Sequence, residues 1–213
     1  MTTPAFILNV DHLVYATPNL DDGVAEIERL TGVRASPGGS HPGRGTRNAL
    51  IALGPRTYLE IMGPDPGQPA PSEPRVFGID QLKRSRLVAW YLRGTDLPRL
   101  RAEAVAKGVP LGEVRSGSRR RLDGVELSWQ FTDPRVRVGD GVVPLFIDWG
   151  ASQHPASGAV GGVSLVALRA EHPDPKFVRH MLQRLEIDLQ LKRNDTVALI
   201  ATLDTPKGRV ELR

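Results

Sequence analysis

The chain has 213 residues, of which 40% are apolar and 24% charged, as is typical of a globular protein with one large domain or two small ones. It has no cysteine, which excludes disulfide bridges, thiolate metal sites and a cysteine nucleophile. The net charge of +4 comes mostly from arginines scattered among acids, so the charge does not predict a nucleic-acid surface.

The N-terminal residues 1–5 contain no basic stretch that leads into a long apolar run, and this predicts no secretory signal. No run of about 18 apolar residues occurs anywhere in the sequence, so no membrane span is expected. We therefore expect a cytoplasmic protein whose partner is neither a membrane nor a nucleic acid.

Three segments of the sequence share one plan, in which a strand is followed by a helix with one apolar face. A proline or a capping residue precedes each helix, and a glycine follows the first two helices. The predicted strands cover residues 6–16, 87–92 and 163–168, and the predicted helical stripes cover residues 20–30, 97–105 and 178–185.

Short strand patterns joined by turn residues follow each predicted helix. They cover residues 47–53 and 57–62, then 125–131 and 142–149, then 189–193, 197–203 and 209–212. The repeating unit is therefore a βαβββ module. Such modules predict an α+β fold in which a curved, cupped mixed sheet has helices packed outside.

The repeat divides the chain into paired modules over residues 1–150, with module one at about 5–64 and module two at about 85–150. Residues 158–213 form an additional C-terminal βαβββ-like module, which we expect to pack on the same domain. Residues 36–46 are rich in Gly and Pro and are predicted to be an extended loop. The dense basic cluster is interpreted as a solvated loop or hairpin and consists of Arg115, Arg119, Arg120 and Arg121.

Two polar side chains are in phase with apolar residues of their strands. His12 is in phase with Val10 and Val14, and Glu60 lies in phase with Tyr58 and Met62. If the strands curve around one cavity, His12 and Glu60 both point into it. An imidazole and a carboxylate are suitable either as ligands of a first-row metal ion or as a base with an orienting partner.

The βαβββ repeat and these two strands resemble the vicinal oxygen chelate superfamily, and within it the glyoxalase-like domain proteins. The most specific stretches are residues 38–50, 58–63 and 146–150. The resemblance implies two modules that form a cupped sheet. It also implies a divalent metal ion, held by a residue of each module's first strand and a Glu of each module's last strand, that polarises adjacent oxygens of a substrate.

Carried over to this sequence, the resemblance assigns His12 and Glu60 as catalytic residues and metal ligands of the first module. The second module departs from the pattern, because Arg86, Ala89 and Trp90 surround the expected first-strand position and Phe146 aligns with Glu60. The nearest carboxylate is Asp148, two residues further on. Other ligands would have to be recruited from His41, His154 or Asp148.

Several other side chains are candidates for the same cavity. His41 is predicted to be a catalytic imidazole on a loop over the cavity, and substrate-binding roles are predicted for Asn48, Trp90, Trp129 and Asp148. Most of these residues, and His12, have a structural alternative. His12 could be a core histidine, His41 could lie on the surface, Asn48 could satisfy the backbone at a strand start, and the tryptophans could be core residues.

These observations together predict a small-molecule enzyme of the lyase, isomerase or dioxygenase type that acts on a substrate with adjacent oxygens, with a divalent metal ion as the candidate cofactor. The alternative is a non-catalytic protein that binds or sequesters a small molecule on the same scaffold. The third module has Ser164 where His12 would stand. We interpret it as structural, and it could lengthen the sheet or complete a cup in a homodimer.

Overall fold

The computed structural model describes residues 9–120 and 124–213 of the chain. The first unit consists of β1 (Val10–Ala16), α1 (Leu20–Thr31), β2 (Ser36–His41), β3 (Thr46–Gly54) and β4 (Thr57–Pro64). Helix α1 begins after Asn19, whose side chain accepts hydrogen bonds from two backbone N–H groups of the first turn. It ends at Gly32, which has a φ of 79°. Residues 6–8 of the predicted first strand lie outside the described residues.

The remaining units follow the predicted order of helices and strands. The second unit consists of β5 (Arg86–Arg93), α2 (Leu97–Ala106), β6 (Val114–Arg120), β7 (Glu126–Thr132) and β8 (Leu145–Asp148). The third consists of β9 (Ser164–His172), α3 (Pro175–Arg184), β10 (Gln190–Arg193), β11 (Ala198–Thr205) and β12 (Gly208–Leu212). Within the described ranges, none of the helices has the length and apolar character needed to cross a membrane.

Two strands were not predicted from the sequence, namely β2 and β6. The prediction of a loop over residues 36–46 was wrong, because its first half is β2, an edge strand with a bulge between Pro37 and Gly39. An edge strand tolerates proline, since one of its sides needs no ladder hydrogen bonds. Strand β6 carries the basic cluster in a hairpin with β7, and Arg119 is buried there rather than solvated. Arg121 lies outside the described residues.

The first two units together form one eight-stranded sheet in the order β2-β3-β4-β1-β5-β8-β7-β6. In each unit the first strand pairs in parallel with the last strand, and β1 pairs antiparallel with β5 at the junction of the units. The sheet curves until its two edges approach each other, where Arg119 Nη1 donates a hydrogen bond to Gly38 O at 2.5 Å. This nearly closed sheet confirms the predicted fold class.

The third unit has the predicted order of elements but a different strand pairing. Its four-stranded sheet has the order β10-β9-β11-β12, so its first strand pairs with the two strands that follow the helix and not with the last strand. It is therefore not a third copy of the cup-forming pattern. The boundaries proposed for the modules remain predictions.

The eight-stranded sheet buries apolar side chains on both faces. On the outer face, residues such as Leu13, Leu59 and Trp90 share one core with the three helices and the third unit. On the inner face, Val14, Met62 and other side chains form a second core around a cavity. The candidate site lies in this inner face.

Candidate functional site

A bulge in β1 determines which side chains of that strand face the cavity. Val10 pairs with Leu92 and His12 pairs with Tyr91, so two steps of β1 oppose one step of β5, and Asp11 is the extra residue. A bulge brings neighbouring side chains towards the same side of a strand. His12 therefore faces the cavity in phase with Val14, as predicted, whereas Val10 packs in the outer core, so its predicted phase was wrong.

Asp11 is a fully buried carboxylate that holds the bulge and its neighbours together. It accepts hydrogen bonds from His12 Nδ1 at 2.7 Å and from His154 Nε2 at 3.1 Å. The Trp149 indole N–H lies 3.2 Å from both carboxylate oxygens. Burial alone would raise the pKa of Asp11, but the hydrogen bonds and charges of the two histidines outweigh it and keep the pKa well below the ordinary value.

The imidazole of His12 is fixed in orientation by two aromatic rings. It stacks between Tyr58 and Tyr91, with ring centroids 4.7 and 4.2 Å away and interplanar angles of 15° and 16°. Nδ1 donates its proton to the Asp11 carboxylate, so in a neutral imidazole Nε2 presents a lone pair to the cavity. Nε2 lies 3.8 Å from Glu60 Oε2, which is too far for a hydrogen bond and leaves both atoms available to one substrate group that lies beside them.

The opposite side of Glu60 is held by a chain of buried polar groups. Asn48 Nδ2 donates to Glu60 Oε1 at 2.6 Å and lies 3.3 Å from His41 Nε2. His41 Nδ1 lies 2.9 Å from Thr46 Oγ1, and an Nε2 that accepts from Asn48 requires a neutral imidazole. Burial lowers the pKa of His41, and the charges of nearby arginines lower it further against the opposing charge of Glu60.

The structure brings five of the seven predicted site residues to the cavity wall. They are His12, His41, Asn48, Glu60 and Trp129. His41 belongs to β2 and is buried, so it is part of the wall and not of an overlying loop.

Trp90 and Asp148 do not line the cavity, and both errors are errors of phase. Trp90 pairs with Leu13 and is completely buried in the outer core, where its Nε1 donates to Val142 O at 2.8 Å. On β8 the residues that face the cavity are Ile147 and Trp149. Asp148 points the other way and accepts a hydrogen bond from Gly150 N at 2.8 Å. A shift of one residue in alignment reverses the face of every side chain in a strand.

The inner cavity has a volume of about 60 Å³. Its wall includes residues that the sequence analysis missed, among them Tyr91, Phe131, Arg44 and Arg119. Alternation with Trp90 could have indicated Tyr91, but nothing in the sequence marks the two arginines. Arg119 reaches the cavity because β6 lies at the second edge of the curved sheet, opposite β2.

The metal site implied by the resemblance can be tested against these donors. Within residues 9–120 and 124–213, no three His, Asp or Glu side chains are arranged to hold one ion. His41 Nε2 lies 3.7 Å from Glu60 Oε1, but the Asn48 amide N–H groups point into the space between them. His154 is bonded to Asp11, and Asp148 faces away. This donor set does not fit a tightly bound divalent ion.

Comparison with known proteins agrees with this architecture. No curated protein sequence matches the chain. A crystal structure of a hypothetical protein from Staphylococcus aureus aligns with a TM-score of 0.61 at 15% identity, over 95% of this chain and 83% of that one, and shows the same fold.

Methylmalonyl-CoA epimerases are similar over a smaller part of the chain. The enzyme from Mycobacterium tuberculosis aligns with a TM-score of 0.43 at 18% identity, over 74% of this chain and 97% of its own. A Streptomyces coelicolor epimerase in complex with 2-nitronate-propionyl-CoA aligns with a TM-score of 0.43 at 20% identity, over 68% and 96%.

The family model of the glyoxalase-like domain matches residues 10–186, which include both units of the cupped sheet and the whole inner cavity. The chain therefore belongs to the glyoxalase-like domain family, as the strands around His12 and Glu60 indicated.

Proposed function

We propose that this protein is a small-molecule enzyme of the lyase or isomerase type that moves a proton on a substrate with adjacent oxygens. The observation that carries the proposal is the pair formed by His12 Nε2 and Glu60 Oε2, which face each other at 3.8 Å across the inner cavity. Their partners on the far sides are Asp11 and Asn48. Each reactive atom is thereby oriented towards the same point.

The chemistry follows from which atoms carry protons. His12 donates from Nδ1 to Asp11, so its Nε2 can accept a proton, and the Asp11 carboxylate stabilises the imidazolium that results. A C–H group next to a carbonyl, bound at the gap, would lie within reach of both Nε2 and Oε2. Nε2 of the neutral His12 would take the proton and leave an enolate, and the resulting imidazolium would return that proton to the same or a neighbouring atom, either directly or by passing it to the Glu60 carboxylate 3.8 Å away.

The surroundings strengthen this pair. The rings of Tyr58 and Tyr91 cover both faces of the His12 imidazole, and Phe131, Ile147 and other apolar groups complete the wall. Charges interact more strongly where water is excluded. A negative charge that develops on a substrate oxygen would therefore be stabilised by a protonated His12 and by the Arg119 guanidinium on the same wall.

The second candidate function is binding without catalysis. It is favoured by the aromatic character of the wall, in which Trp129 and Trp149 have ring centroids only 5.1 Å apart. Because these two rings contact each other, a planar ligand would stack on the pair and not insert between its members. Such a protein would use the same cavity but would not need His12 or Glu60 as proton carriers.

Exchange of substrate hydrogen in D2O, followed by proton NMR, separates the two functions. The test panel consists of 2-oxo acids, 2-hydroxy ketones and 2-hydroxy acids, with wild type compared to His12→Gln and Glu60→Gln. We expect each substitution to slow exchange by about 100-fold or more. His180→Gln is the matched control, because His180 is exposed on α3. Saturable binding without exchange would contradict the enzyme proposal and support the binder.

Metal analysis tests the metal-ligand roles predicted for His12 and Glu60, and with them the dioxygenase alternative. Protein purified without chelator, and protein loaded with Mg²⁺, Mn²⁺, Ni²⁺ or Zn²⁺, is analysed by elemental mass spectrometry. The donor geometry predicts no stoichiometric retention of any of these ions after dialysis. Stoichiometric metal that is lost in both His12→Gln and Glu60→Gln would restore the metal-assisted reaction.

A further inference from the structure

A second, larger pocket adjoins the inner cavity, and we call it the outer pocket. The two share four wall residues, which are Arg44, Val76, Phe131 and Pro134. The outer pocket has a volume of about 390 Å³ against about 60 Å³ for the inner cavity. The inner cavity is too small for more than the reactive end of a substrate, and the rest of a molecule that lies beside His12 and Glu60 would extend past the shared residues towards the outer pocket.

Four arginines line the outer pocket, and three of them are engaged in ion pairs. Arg75 pairs with Asp80 at 2.6 Å. Arg115 pairs with Asp133 at 3.3 Å, and Arg135 with Glu73 at 2.7 Å. Arg44 is the fourth, and among the described residues it has no carboxylate partner. Its only hydrogen bond there is a long one of 3.4 Å, from Nη2 to Ser116 O, so most of its five N–H donors are available.

The backbone holds Arg44 in place at the boundary of the two spaces. It lies in the turn between β2 and β3, flanked by Gly43 and Gly45, whose φ values of 71° and 63° favour glycine. A Cβ at Gly45 would come within 2.8 Å of Pro71, so the turn packs closely against the proline-rich segment. The Arg44 guanidinium lies 4.8 Å from the centroid of the Phe131 ring, which supports one of its faces.

We propose that Arg44 binds an oxyanion of the substrate, either a carboxylate or a phosphate, while the adjacent oxygens of the same molecule lie at His12 and Glu60. A half-buried guanidinium with available N–H groups is suited to bidentate recognition of such a group. The substrate class is then an anionic carbonyl or hydroxy-carbonyl compound. This assignment rests on the proposed function only for the location of the reacting end, since anion binding at Arg44 does not require proton transfer.

Titration calorimetry with pairs of charged and uncharged probes tests the assignment on the full chain. The carboxylate arm compares 5-hydroxy-4-oxopentanoate with its primary amide, and the phosphate arm compares dihydroxyacetone phosphate with dihydroxyacetone. For at least one arm, we expect the anion to bind about tenfold or more tightly than its neutral partner. The arm that shows the preference identifies the oxyanion.

Three variants decide whether Arg44 causes this preference. Arg44→Gln should abolish it while leaving the neutral probe within about twofold of wild type, and Arg44→Lys should retain part of it. Arg135→Gln is the matched control on the same pocket and should leave the preference intact, because Arg135 is already paired with Glu73. Equal binding of charged and neutral probes, no binding of either anion, or a preference that survives in Arg44→Gln would overturn the assignment.

The same titrations separate this inference from the enzyme proposal. An Arg44-dependent preference in a protein that exchanges no substrate hydrogen would leave the anion site standing and remove the enzyme. Hydrogen exchange that is equally fast with the amide and the acid, and unaffected by Arg44→Gln, would leave the enzyme standing and remove the anion site.

Discussion

Replacing Asp11 by Asn changes the state of His12 without changing the shape of the site. The Asp11 carboxylate accepts from His12 Nδ1 and His154 Nε2, and both of its oxygens lie near the Trp149 indole N–H. Asn has one oxygen and one NH2 group. His154 and Trp149 both need the oxygen, because His154 Nδ1 accepts from Ala156 N and Nε2 must carry the proton. The NH2 group then faces His12 and donates to its Nδ1.

The expected consequence is that the proton of His12 moves from Nδ1 to Nε2, where it blocks the proposed base. We expect the rate of substrate hydrogen exchange to fall by about 100- to 10,000-fold. Stability should fall less. Three charge-assisted hydrogen bonds become neutral, which costs about 1 kcal/mol each, or about 3 kcal/mol in total. For a chain of this size, that loss lowers Tm by about 6–12 °C.

Nitrogen-15 NMR of the histidine rings reports the tautomer directly. Thermal unfolding measures the loss of Tm, and NMR in D2O measures the fall in the rate of substrate hydrogen exchange. Asp195→Asn, at an exposed position, is the control for the same chemical change. The reasoning is refuted if Asp11→Asn leaves Nδ1 of His12 protonated and exchange at the wild-type rate. A Tm loss far above this range would instead mean that the amide does not fit among its three partners.

The acid limb of the stability curve gives an independent check on Asp11. Its pKa in the folded protein lies below the ordinary value of 3.8, so the unfolded chain binds the proton more tightly. The stabilisation by the carboxylate is therefore complete above pH 3.8 and is lost as the pH falls below that value. Urea unfolding of Asp11→Asn should show a shallower loss of stability than wild type from about pH 4 downwards.

Two further predictions concern the groups that support Glu60. Burial lowers the pKa of His41 below 6.5, so its stabilising contribution is complete above that pH and is lost as the pH falls through the lower folded-state pKa. The unfolding free energy of His41→Gln should depend less on pH between about 7 and 5, and an unchanged slope would contradict a neutral His41. Gly38→Ala places a Cβ 2.0 Å from Asn48 Oδ1, so Asn48 must move away from Glu60. We expect the rate of substrate hydrogen exchange to fall by up to about tenfold, and the free energy of unfolding to fall by about 1–3 kcal/mol. Gly161→Ala, with no atom within 4 Å of its Cβ, should match wild type.

The helices and the central strands could be predicted from the sequence because their apolar periodicity is strong and their caps are explicit. The two missed strands, β2 and β6, are the edges of the eight-stranded sheet. An edge strand pairs on one side only and has little apolar burial, so Gly, Pro, Ser and Arg are tolerated there and remove the usual signal. Their position across the gap, joined by Arg119 and Gly38, is a property of the closed sheet that no local pattern contains.

The position of His12 and Glu60 in the cavity could be predicted, since polar residues inside apolar strands are costly unless they have partners. The position of Asp11 beside His12 could not be predicted, because simple alternation places Asp11 on the opposite face of the strand. Only the bulge against Leu92 and Tyr91 brings the two side chains together. Trp90 and Asp148 were assigned to the cavity by alignments that are one residue out of phase. Such a shift is invisible without the pairing partner of each strand.

The two halves of the cavity supply different chemistry, and this asymmetry favours proton transfer over metal binding. The first unit contributes His12, His41, Asn48 and Glu60, whereas the inward positions of β5 and β8 contribute Tyr91 and Ile147. An ion held by one imidazole and one carboxylate would need water for most of its remaining ligands, in a space whose walls are aromatic and aliphatic. The same walls make an oriented imidazole and carboxylate more effective, because fewer solvent dipoles screen a charge that forms between them. The apolar residues at the inward positions of β5 and β8 therefore fit the proposed acid–base reaction better than a metal-assisted one.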